Sequence, residues 1–220
     1  MMNWYRHNWY YVGLMIFIAL AFYLPLFGVQ HLSHIQVILT LSWMAFLVHQ
    51  FEEYGLPGGF PSIFNIVLQG NHNDDFNRYP TNANLVMIDN VFLAYPFYII
   101  PIFFPDCIWL SLIQLGQAVA QYTNHGITSK KLGKLYNPGL GSIVFLHTPL
   151  LVYYICYVES QNLATASDYL IGFIGSFAAL LVLWIIPILV LKDRNSPYPY
   201  REDRIWGYAK ERVMEIKNGK

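Results

Sequence analysis

Residues 47–61 read LVHQFEEYGLPGGFP, which sets a histidine and two adjacent glutamates at the end of a long apolar run. On a helix, His49 stands i, i+3 from Glu52 and i, i+4 from Glu53, so either carboxylate shares a face with the imidazole. Imidazole and carboxylate on one face are donors for a divalent metal ion. Adjacent glutamates lie about 100° apart around a helix. The second carboxylate is therefore free to act as a base on water or to bridge to a second ion. Gly55, Leu56 and Pro57 form a helix stop, with glycine in a left-handed cap and proline behind it. Both carboxylates then meet the negative end of the helix dipole, and each other, at a cost of about 1 kcal/mol. A cation reverses that cost, and residues 47–77 contain no lysine or arginine.

The elements that position these groups follow from composition. Only 12% of the 220 residues are charged and 55% are hydrophobic, against about 25% charged in soluble domains. The solvent of such a chain is lipid. Six runs are long enough to cross a bilayer core: 8–28, 34–54, 84–104, 107–125, 140–158 and 168–191. The first is too long for a signal peptide and lacks a cleavage site, so it is read as retained. Basic residues set the orientation. Arg6, Arg78, Lys130, Lys131, Lys134 and the eight from Lys192 to Lys220 all fall on one side of a strict alternation. The expected fold is an all-α integral membrane protein. It is a six-helix bundle over 1–191 with both termini cytoplasmic and a cytoplasmic tail over 192–220. In the tail, an amphipathic helix from about Glu202 would turn Ile205, Trp206, Ala209, Val213 and Ile216 towards the membrane, although a solvated surface tail is the plainer reading. Net charge is near zero, so nothing points to nucleic acid. Cys107 and Cys156 read as small apolar packing groups, with a disulfide as the alternative in an oxidising compartment.

Depth then selects further polar residues, since ionisable groups inside spans are costly and usually functional. Asp89 lies early in the third span, Asn124 and His125 end the fourth, and His147 sits about 10 Å into the fifth. All belong to the same cytoplasmic half as His49, Glu52 and Glu53. Asp89 alone also suits a helix first turn, and His147 alone suits a satisfied core histidine. His72, Asp74 and Asp75, in the loop 70–84, are available as ligands or a cover, but Asn and Asp also dominate ordinary turns. FPSIFNIVLQ is too short to span and reads as an interfacial or re-entrant helix begun by Pro61. Ser142 and Ser176 read as helix-packing positions.

His49-Gln50-Phe51-Glu52-Glu53 resembles the signature of the HXXEE family, small multi-span membrane proteins that are mostly bacterial. The family pattern continues with a later histidine, a basic stretch and Tyr-x-Pro-Gly. Here these are His125, then Lys130, Lys131 and Lys134, then Tyr136-Asn137-Pro138-Gly139. Ser142 stands where the family pattern has a threonine, and Gln121 where it has an asparagine four residues before the histidine. The resemblance implies a metal or enzymatic site at His49, Glu52, Glu53 and His125, in a bacterial inner membrane, and implies no particular activity.

The expected function is a metal-dependent membrane hydrolase acting on a lipid or other apolar substrate at the cytoplasmic side. His49, His125 and one glutamate would hold the ion, zinc before iron or manganese, and the other glutamate would be the general base. One alternative is a di-iron oxidase, desaturase or hydroxylase that adds Asp89 and His147. Another is an ion or proton-coupled transporter. The chain has no Walker loop, no HExxH and no GxSxG.

Overall fold

Helix ends are marked by local chemistry in the computed structural model, which describes residues 1–219. The first helix, α1 (Met2–His31), is followed by α2 (His34–Tyr54). Ser33 opens α2 with a capping box. Its hydroxyl accepts from Gln36 N (3.3 Å), and its own N–H donates to Gln36 Oε1 (2.9 Å). Residues 60–68 form a short helix, α3, with Pro61 in its first turn, as the composition predicts. The Asn82 side chain caps α4 (Ala83–Phe103) by accepting from Asn84 N and Leu85 N. α5 (Ile108–Leu132) ends at Gly133 in the left-handed region, φ 70°. α6 (Leu140–Ser160) starts behind Gly139, and α7 (Ala166–Leu191) behind a Thr165–Asp168 capping box. Two short helices, α8 (Glu202–Ile205) and α9 (Lys210–Lys217), end the chain. Among the described residues every element is helical.

Five helices are long and apolar enough to cross a membrane: α1, α2, α4, α6 and α7. α5 has the length but is more polar, and it buries the face that carries its amides. Gln114 donates to the Tyr98 carbonyl (2.9 Å) and Gln117 to the Ser176 carbonyl (2.8 Å). Lipid offers amide side chains no partners, so the face carrying them must be covered by protein. Small residues let α7 close over α5. A Cβ on Gly116 would collide with Ser176 Oγ, and one on Gly172 with Leu112. Ser176 is thus a packing residue, as its neighbours in sequence suggest.

Several expectations change. α5 continues seven residues past His125, so Asn124 and His125 lie inside the helix. Lys130 and Lys131 fall in its last turn, where the dipole favours them. Gly55 does not take a left-handed cap, since its φ is −105°. The left-handed residues are Gly58 and Gly59, which a tail backbone approaches so closely that a Cβ on Gly59 would lie 2.8 Å from Gly207 N. The tail, exposed along its charged residues, packs its most apolar side chains on protein. Tyr200, Ile205 and Val213 are buried against α3 and the start of α4. Tyr208 N donates to Gly58 O (3.0 Å) and Tyr200 OH to Thr81 Oγ1 (2.8 Å). Hydrophobic tail residues find a protein face closer than a lipid one. The cysteines are unpaired, Cys107 half-buried and Cys156 exposed, so Cys156 is not a core group.

Candidate metal centre

His49, Glu52 and Glu53 occupy the last two turns of α2, and their 3.6-residue period separates their directions. His49 Nε2 and Glu53 Oε1 are 3.6 Å apart on one face. His125, from α5, brings its Nε2 to 3.5 Å from the same carboxylate oxygen. All three residues are buried. Their potential ligand atoms lie within 4.8 Å of one another.

The far nitrogen of each ring explains which atoms face inward. His49 Nδ1 lies 3.0 Å from the Gly139 carbonyl and 3.0 Å from Ser142 Oγ, whose own proton goes to that carbonyl (2.9 Å). His125 Nδ1 lies 2.6 Å from Asn137 Oδ1. The Asn137 amide is oriented by its nitrogen, which donates to the His125 carbonyl (3.0 Å) and Ser129 Oγ (2.8 Å). Carbonyl oxygens only accept, so both rings carry their proton on Nδ1 and present an Nε2 lone pair to Glu53. Indeed the buried His125 Nε2 has no hydrogen-bond partner. As neutral imidazoles, the two rings thus bring lone pairs to the Glu53 carboxyl, and three potential ligand atoms converge. Ligands held at about 2.05 Å around a tetrahedral ion stand about 3.3 Å apart. The separations of 3.5 and 3.6 Å fit that spacing.

Glu52 faces elsewhere. Its carboxylate accepts from Gly141 N (3.0 Å), Ser142 N (2.8 Å) and Tyr136 OH (2.8 Å). The first two are otherwise unsatisfied N–H groups at the positive end of α6. The cation that the sequence lacks near Glu52 is supplied in kind by a helix N-terminus. Burial, and then the Glu52 contact itself, hold the Tyr136 phenol above its ordinary range, so it stays a donor. With three donors on its carboxylate, two on Oε1 and one on Oε2, Glu52 joins α2 to α6.

A protein-family model described as "Protein of unknown function with HXXEE motif" matches residues 40–154, which contain every group described above. The chain belongs to the HXXEE family. No curated protein and no solved structure matches it. The geometry gives the HXXEE signature a physical division of labour. Its histidine and second glutamate share a face and meet His125, while its first glutamate, rotated by one residue, holds the next helix in place.

The other sequence candidates lie apart from this group. His147 is buried with its ring edge-on to His49 (6.1 Å, 87°), outside the three-residue cluster. Asp89 is buried in a separate cavity on α4. Asn124 neighbours His125 in sequence, but its recorded bond is a backbone one, from Thr128 Oγ1. His72 is exposed on the surface loop, 3.1 Å from the Lys217 carbonyl, and Asp75 pairs with Arg194 (2.6 Å). Four contributors had no assigned role in the sequence: Tyr136, Asn137, Gly139 and Ser142. The first three sit in the Tyr-x-Pro-Gly stretch, which marked their importance without their task. Ser142 was read as packing, yet it touches His49 and Glu52.

Proposed function

We propose that this HXXEE protein binds one divalent metal ion through His49, Glu53 and His125. It would use that ion to hydrolyse a lipid or other apolar amphiphile at the cytoplasmic side of the membrane. The observation that carries the reading is the convergence of three buried potential ligand atoms, with Glu53 Oε1 3.6 and 3.5 Å from the two imidazole nitrogens. Two imidazoles and one carboxylate leave a fourth position open, the donor set of catalytic zinc sites. A bound zinc ion would supply Lewis acidity and acidify a coordinated water. The chain's own residues then have defined tasks. Gly139 and Asn137 keep the protons on Nδ1, and Glu52 positions α6, whose first residues carry the Gly139 carbonyl and the Ser142 hydroxyl. The two-iron alternative draws less support, because Asp89 and His147 stand outside the cluster.

The membrane setting is part of the proposal. In it α5 is the sixth crossing, both termini are cytoplasmic, and the membrane is the bacterial inner one. Support comes from one end of the bundle, where Arg6 donates to Asn84 (2.9 Å) and lies over the Tyr198 ring (3.9 Å), while Lys131 reaches the Leu68 carbonyl (2.8 Å). The apolar substrate class is supported by a groove among Phe17, Leu41, Met44, Phe145, Leu146 and Pro149, open to the lipid-facing side.

Elemental analysis of protein purified without chelator tests the site. The expected result is about one metal ion per wild-type chain, with loss of the ion in each of His49→Ala, Glu53→Ala and His125→Ala. A wild-type protein free of stoichiometric metal, or an ion retained by His125→Ala, would overturn it.

A further inference from the structure

Among the described residues, Asp89 is the one buried carboxylate outside the candidate metal centre. It sits on a π-helical turn of α4, Ile88–Leu93, and is 9% exposed. Among the described residues no hydrogen bond reaches its side chain, and Oδ1 is fully enclosed without a partner. It lines a cavity of about 50 Å³ together with Asn90, Gln117, Gln121, Phe46, Tyr98 and Trp184. A second cavity, towards Tyr54 and Phe60, shares Asp89 and Trp184 as its wall. Neither cavity is lined by a lysine, arginine or histidine. Of the three amides in the lining, Gln121 makes no side-chain hydrogen bond among the described residues, and the other two bond backbone carbonyls. Asn90 Nδ2 donates to Val86 O (2.9 Å), and Gln117 Nε2 to Ser176 O (2.8 Å). Trp184 lies on a second π-helical turn, Leu181–Ile185 of α7, and such turns recur at functional sites.

A buried acid that no side chain reaches, among aromatic rings and neutral amides, lacks a positively charged hydrogen-bond donor. A metal ion would need several oxygen ligands, and the cavity offers one carboxylate. The lining includes the half-buried Leu180 and Leu183, beside the exposed Leu181 and Val182, so the cavity borders the apolar side of α7. We propose that the Asp89 cavity binds the primary ammonium group of an amphiphile, either an aminolipid headgroup or a free long-chain amine. The Phe46 ring joins this cavity to the metal centre. It stacks on Tyr98 (4.3 Å, 12°) and lies 6.3 Å from the His49 ring at 21°. That link makes an amine-bearing amphiphile the substrate class of the hydrolase. The link rests on the proposed function, whereas the binding does not.

The test uses the full chain in detergent, titrated by calorimetry with dodecylamine, dodecyltrimethylammonium and dodecanol, and with metal content measured in parallel. Dodecylamine is expected to bind at least tenfold more tightly than the other two, because only it is a charged N–H donor. Asp89→Asn should remove that preference while keeping the metal. Asp106→Asn, which removes an exposed carboxylate that lines neither cavity, should keep the preference, and the metal retained by Asp89→Asn shows that this variant folds. Competition from nanodiscs of phosphatidylethanolamine, but not phosphatidylcholine, assigns the amine to a lipid headgroup, and no competition from either assigns it to a free amine. Equal binding of amine and alcohol, or an unchanged preference in Asp89→Asn, overturns the proposal. Loss of metal from the wild type with the preference intact would instead defeat the hydrolase reading alone.

Discussion

Gly139 has no room for a side chain. Its φ is 98°, and a Cβ there would collide with His125 Cε1 and lie 2.8 Å from His49 Cε1. The close approach is what lets its carbonyl reach His49 Nδ1. Gly139→Ala should therefore weaken metal binding at least tenfold, the scale on which groups behind metal ligands act, and lower the thermal midpoint as well. Gly70→Ala is the matched control, because Gly70 has φ 68° but nothing within 4 Å. It should cost only about 1 kcal/mol of backbone strain and no metal. Equal metal content in the two variants would show that the backbone at 139 does not shape the site. The sequence marks Gly139 through the Tyr-x-Pro-Gly stretch but cannot reveal which rings it meets, because those rings lie on other helices.

Two neighbouring glutamates of α2 do opposite work for the elements around them. Glu52 receives three donors from the segment that begins α6, and Glu53 receives none from the two histidines it faces. Glu52→Ala should destabilise the protein by about 3 kcal/mol, the scale of charge-assisted hydrogen bonds. Glu53→Ala should leave the metal-free protein as stable as the wild type while removing the ion. Chemical denaturation with and without chelator measures both. Reversed effects would exchange their roles. Helical period makes this divergence legible in the sequence, since adjacent residues cannot share a direction. Which glutamate meets which partner was not legible, because the partners stand some 70 to 90 positions away, His125 in one case and Gly141 and Ser142 in the other.

At the scale of the whole molecule, the tail closes the end of the bundle beneath the candidate site. Tyr200, Ile205 and Val213 bury themselves against α3 and the start of α4, and Arg194 pairs with Asp75 at 2.6 Å. Fully burying one large apolar side chain is worth about 2 kcal/mol. Three of them amount to a large share of the 5–15 kcal/mol margin typical of folded chains. Removal of residues 199–220 should therefore make the segment 57–87 sensitive to protease and lower the unfolding temperature. An unchanged cleavage pattern would mean that the tail is only a surface appendage. The apolar spacing of Ile205, Val213 and Ile216 announces a face to be buried, but a membrane and a protein surface satisfy that spacing equally.

The sequence by itself determined an all-helical, lipid-compatible chain, the single face shared by His49 and Glu53, and the clustering of charge outside the apolar runs. These are local properties, set by hydropathy over about 20 residues and by the helical repeat. Only the tertiary structure decided that Glu53 rather than Glu52 meets His125, that a helix N-terminus rather than a cation answers Glu52, and that the tail covers α3. Each of those outcomes depends on desolvated polar groups finding partners across the bundle. Residue spacing fixes where a group points, and the packing of distant helices decides what is there to receive it.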